Sequence, residues 1–81
     1  MGKYEKLIKR ILEGKSEITP NEALNILNKL DFKSTAISGS HRTFRKPNRM
    51  PVTIVLTQNP LKPYLIEKLQ DVLKQEGYHN E

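Results

Sequence analysis

Apolar residues recur at three- and four-residue spacing in three stretches of the chain, and each stretch is predicted to be an amphipathic helix. The first runs from Lys3 to Glu13, with Tyr4, Leu7, Ile8, Ile11 and Leu12 on one side and Gly14 at the position where glycine commonly ends a helix. The second is opened by Thr19-Pro20-Asn21-Glu22, which reads as an N-cap, a first-turn proline and the glutamate of a capping box. It turns Ala23, Leu24, Leu27 and Leu30 inward and ends near Asp31. The third starts at Pro63, because the residue before a proline avoids helical backbone, and buries Leu65, Ile66, Leu69, Val72 and Leu73 before Gly77 closes it.

Between the second and third helices the periodicity shortens to that of strands. Phe32 to Ser38 and His41 to Lys46 flank the turn-forming Ser38-Gly39, which predicts a hairpin. Lys46 to Pro51 holds two prolines and an asparagine and is predicted to be a loop, and Val52 to Thr57 is the most strand-like segment. The order helix, helix, three strands, helix predicts an α+β domain, a three-stranded antiparallel sheet covered by helices on one face. Residues 1–81 are predicted to form a single domain, with 3–13 as an extra N-terminal helix on an α-β-β-β-α core spanning 19–77. Tyr78 to Glu81 are expected to fray. Without the first helix, the order is that of double-stranded-RNA-binding domains.

Charge adds a location to this outline. The chain carries 14 Lys and Arg against 9 Asp and Glu, for a net charge of +5. The window from Lys29 to Met50 holds six basic residues and one acidic one, while the remainder balances at eight of each. A positive segment of this kind suits a polyanion, since Lys and Arg displace the counterions of a phosphate backbone. The chain has no cysteine, which excludes disulfides, thiolate nucleophiles and zinc-thiolate sites. No apolar run approaches the roughly 20 residues of a membrane span, and the charged N-terminal stretch does not read as a signal peptide; a soluble, cytoplasmic protein is expected.

Candidate chemistry narrows to one residue. Alternation along the second strand puts His41, Thr43 and Arg45 on one face and Arg42, Phe44 and Lys46 on the other, with Phe44 toward the helices. The chain has only two histidines, and His79 lies in the tail, so no metal cluster is expected. Ser40 directly precedes His41 and points away from it, so a serine triad is not formed, and Gly39 belongs to no phosphate-binding glycine motif. No cofactor is called for. An imidazole beside cations fits attack by an RNA 2′-hydroxyl on its own phosphate: the protein need only move a proton near neutral pH and steady the added negative charge. His41 would do the first, and Arg45 with Lys46 the second.

The segment Gly39-Ser40-His41-Arg42-Thr43-Phe44, with Phe32 before it and Pro47 after it, resembles the HicA family of toxins over roughly Thr19 to Leu73. The resemblance implies a double-stranded-RNA-binding-like fold, metal-independent cleavage of mRNA through His41, and neutralisation by a HicB-like antitoxin. Gly39 and Ser40 would shape the turn that presents the imidazole, and Arg42, Thr43, Arg45 and Lys46 would contact RNA. The chain departs from the family pattern in three places. Thr57-Gln58-Asn59-Pro60 stands where many members carry Pro-x-His, Lys62-Pro63-Tyr64-Leu65 stands where Gly-Thr-Leu opens the last helix, and the helix over 3–13 is an addition. Two other readings remain open: a non-catalytic RNA-binding module on the same scaffold, and a protein-binding adaptor that uses Tyr4, Tyr64 and the leucine-rich helix faces.

Overall fold

The computed structural model describes residues 3–79. Helices α1 (Lys3–Glu13) and α2 (Pro20–Lys29) precede strands β1 (Lys33–Ser38), β2 (His41–Arg45) and β3 (Val52–Val55), and helix α3 (Pro63–Gln75) follows. The strands form one antiparallel sheet in the order β1-β2-β3, so β2 is central. The α+β class and the predicted element order are those observed.

The capping box at α2 is fully made. Thr19 Oγ1 accepts the Glu22 amide at 3.2 Å, and Glu22 Oε1 accepts the Thr19 amide at 3.0 Å. Arg10 of α1 donates to the other carboxylate oxygen at 2.8 Å and to the Glu17 carbonyl at 2.6 Å, which fastens α1 to the start of α2. The Thr19 amide, then Arg10, hold the Glu22 carboxyl below the usual range, against an opposing effect of partial burial.

Two helices end in the same six-residue device, in which the amide two residues beyond the cap returns to a carbonyl in the last turn. At α3, Gly77 takes φ +95°, its amide bonds to the Lys74 carbonyl, and the Tyr78 amide reaches the Leu73 carbonyl at 2.9 Å. Tyr78 packs against the core and is not frayed, while Asn80 and Glu81 lie outside the described residues. At α2, Asp31 holds the left-handed position at φ 68°, and the Phe32 amide reaches the Leu27 carbonyl at 3.0 Å. Phe32, predicted as the first residue of a strand, instead closes this motif with its ring buried.

The core joins all three helices to one face of the sheet. Ile8, Ile11 and Leu12 of α1, Ala23, Ile26 and Leu27 of α2, Phe44, Val52 and Ile54 of the sheet, and Leu65, Leu69 and Leu73 of α3 form one buried cluster. Helix α1 is therefore part of the core, not an appendage to it. Gln70 of α3 donates to the Ile11 carbonyl at 2.9 Å, and Gly14, at φ +69°, holds a left-handed backbone conformation that favours glycine. Leu24 and Ile66, both predicted inward, are half-buried, while Ile18 and Leu61, in loops, are buried and joined by a 2.8 Å backbone bond from the Leu61 amide to the Ile18 carbonyl.

The helices do not cover the whole sheet. None of the described β1 side chains is buried, and Ile37 is 66% exposed, so β1 projects beyond the helical layer as an edge strand open on both faces. β3 is also shorter than predicted: Leu56 and Thr57 form a turn, closed by a bond from the Gln58 amide to the Val55 carbonyl, and the strand ends at Val55.

Candidate active site

His41 opens the central strand. Its partners in register are Ser38 on β1 and Val55 on β3, so the backbone carrying the imidazole is held from both sides. Gly39 and Ser40 make the two-residue connection between β1 and β2. Gly39 has φ +58° and Ser40 does not enter the left-handed region, the pattern of a tight hairpin with glycine first, whose twist matches that of the flanking strands. A side chain at Gly39 would meet nothing within 4 Å, so glycine is required there by backbone conformation and not by space. The Ser40 carbonyl accepts the Leu56 amide at 2.7 Å and carries the β2–β3 pairing one step past His41.

Alternation along β2 is regular. Phe44 is buried against the helices, and His41 and Arg45 are exposed on the opposite face with Thr43 between them. Thr43 Oγ1 lies 3.0 Å from Thr53 Oγ1 of β3, so a hydroxyl pair occupies the middle of this face. The three strands contain the cations Lys33, Arg42 and Arg45 and no carboxylate. The surface is open, and a groove of about 440 Å³ lies elsewhere, between the end of α1 and the start of α3. Among the described residues no three His, Cys, Asp or Glu side chains converge as metal ligands would.

Two of the predicted contacts sit apart from this face. Arg42 points to the helix side, where Nε donates to Ser34 Oγ at 3.2 Å and the guanidinium lies 5.8 Å from the Phe44 ring centre. Lys46 lies just past the end of β2, and its Nζ bonds Glu76 Oε1 at 2.8 Å while Arg49 Nε takes Oε2 at 2.9 Å. These ion pairs tie the β2–β3 loop to the end of α3 and hold the Glu76 carboxyl below its usual range, Lys46 contributing most. The expected pairing of Lys46 with Arg45 beside the imidazole is thus not made.

Lys33 is the addition to the site. It is the register partner of Arg45 and shares its face. The sequence pattern conceals this, because β1 carries a bulge between Ser34 and Ala36 that shifts the register by one residue. In an unbroken hairpin closed by Ser38 and His41, Lys33 would fall on the helix side opposite Lys46; the bulge turns it to the open face.

Of the residues considered for an adaptor role, Tyr4 is half-buried against the core beneath Lys29 Nζ, 5.2 Å from its ring centre. Tyr64 is 53% exposed and its hydroxyl accepts Gln58 Nε2 at 3.0 Å. No helix among the described residues is long and apolar enough to cross a membrane. No protein-family model matches the chain, and no curated protein or solved structure gives a significant match.

Proposed function

We propose that the protein is a metal-independent endoribonuclease that cleaves mRNA with His41 as general acid and base, acting in the cytoplasm as a HicA-like toxin restrained by a HicB-like antitoxin. The observation that carries this reading is an exposed imidazole at the start of the central strand, on a cationic face without carboxylates. The α-β-β-β-α order after α1, shared with double-stranded-RNA-binding domains, lends support to an RNA partner. In the reaction, neutral His41 takes the proton of an RNA 2′-hydroxyl, and that oxygen attacks the adjacent phosphorus. The bond from phosphorus to O5′ breaks, and the imidazolium returns the proton to O5′. The products are a 2′,3′-cyclic phosphate and a 5′-hydroxyl. Arg45 and Lys33 draw the phosphate backbone of RNA onto this face.

RNA incubated with the purified protein in EDTA is expected to yield fragments ending in 2′,3′-cyclic phosphate, and His41→Ala to abolish them without altering the thermal melt. Cleavage that persists in His41→Ala overturns the assignment. A second reading, RNA binding without cleavage, is favoured by the absence of a histidine from Thr57-Gln58-Asn59-Pro60, where a second proton carrier would stand. It predicts salt-sensitive binding of intact RNA by both proteins and no fragments from either.

A further inference from the structure

We propose that Lys33 and Arg45 form a phosphate clamp that holds RNA at a phosphate other than the one at His41; the proposal rests on RNA being the substrate of this face. The two side chains stand directly across from each other on neighbouring strands, both exposed. Like charges opposed in register destabilise a sheet, and neither side chain has an ion pair or hydrogen bond to another described residue. The other cations near this sheet are differently placed: Arg42 is held by Ser34, and Lys46 and Arg49 by Glu76. The strands carry no acid to separate Lys33 from Arg45. A bound anion converts their repulsion into two favourable contacts.

The position of the clamp gives it a separate task from the imidazole. Arg45 lies four residues beyond His41 on one strand, roughly 13 Å along the backbone at the usual rise, with the Thr43–Thr53 hydroxyl pair between them. A single RNA strand laid along β2 therefore meets the imidazole at one end of the face and the clamp at the other. The bulge at Thr35 matters here because it alone brings Lys33 to the side on which His41 stands.

The test uses the full chain with His41→Ala, so that RNA stays intact, and a fluorescent single-stranded octaribonucleotide titrated over a range of salt concentrations. Adding Lys33→Gln is expected to weaken binding about tenfold, the size of a lost charge-assisted contact, and to lower the slope of log affinity against log salt by about 0.7. Lys68→Gln, which removes an equal charge from exposed α3, is expected to leave both unchanged. The thermal midpoint of free Lys33→Gln is expected to rise as the repulsion is relieved. An unchanged slope for Lys33→Gln, while the His41→Ala chain still binds RNA, overturns the clamp and leaves the RNA reading standing. Loss of binding together with a lower midpoint makes Lys33 a folding residue and also overturns it. A His41→Ala chain with no RNA affinity at low salt removes the RNA reading itself.

Discussion

At the scale of single residues, two positions share a backbone conformation that favours glycine, and only one of them has it. Gly39 and Asp31 both lie in the left-handed region, at φ 58° and φ 68°. A residue with a side chain is strained there by roughly 1 kcal/mol, which Asn and Asp soften and Gly avoids. Asp31→Gly is therefore expected to stabilise the protein by about 0.5–1 kcal/mol in denaturant titration, because the Asp31 carboxylate makes no ion pair among the described residues. Gly39→Ala is expected to destabilise it by about 1 kcal/mol, although open space surrounds the position. Its effect on the proposed RNA cleavage should exceed its effect on the melting midpoint, since the hairpin it distorts is the one that sets His41 against Ser38. Gly39→Asn should recover most of both losses.

Among the elements, the β2–β3 loop and α3 are joined through one carboxylate. Glu76 is ionised in the folded protein at pH values where a free carboxyl begins to take up protons, because Lys46 and then Arg49 hold it in the charged form. Near neutral pH it is charged in both folded and unfolded chains, and the ion pairs contribute fully. As pH falls through the ordinary glutamate value of about 4.3, the unfolded chain binds the proton first and the contribution is lost. Glu76→Gln is expected to lower stability by about 1 kcal/mol at pH 7, with the difference shrinking toward zero below pH 4 when urea midpoints are compared across pH. The elements themselves were largely legible in the chain, since capping and turn residues mark their ends: Thr19-Pro20-Asn21-Glu22, Pro63, Gly14 and Gly77 all act where their chemistry predicts. The misplaced ends have a physical cause too. Phe32 is as apolar as a strand residue, but a backbone bond to Leu27 takes it into the cap of α2. The same limit applied to the site. The side of the sheet on which His41, Thr43 and Arg45 stand follows from alternation along an unbroken strand, whereas Lys33 depends on a bulge that leaves no mark in the hydrophobic pattern. The placement of Lys46 is hidden for a different reason: its partner Glu76 lies 30 residues away, and only folding brings them together.

For the molecule as a whole, the helix that looked supernumerary is a structural necessity. Ile11 is fully buried and Ile8 and Leu12 nearly so, and Gln70 of α3 bonds to carbonyls at the end of α1. A chain starting at Ser16 would uncover the surfaces of α2 and α3 against which α1 packs and lose several buried side chains, each worth about 2–3 kcal/mol, in a domain of this size. It is expected to show no cooperative thermal transition and no dispersed amide spectrum. The candidate site stands on a strand and not on a loop. Because β2 is bonded along both edges and Phe44 anchors it from below, the amides of this strand should exchange with solvent only when the entire fold opens, at rates that track global stability. The side chain at its head thus stands on the least yielding part of the protein. Any flexible polymer that reacts there has to bend to the protein's shape, and the selectivity of the encounter will reside in how readily a given stretch of that polymer deforms.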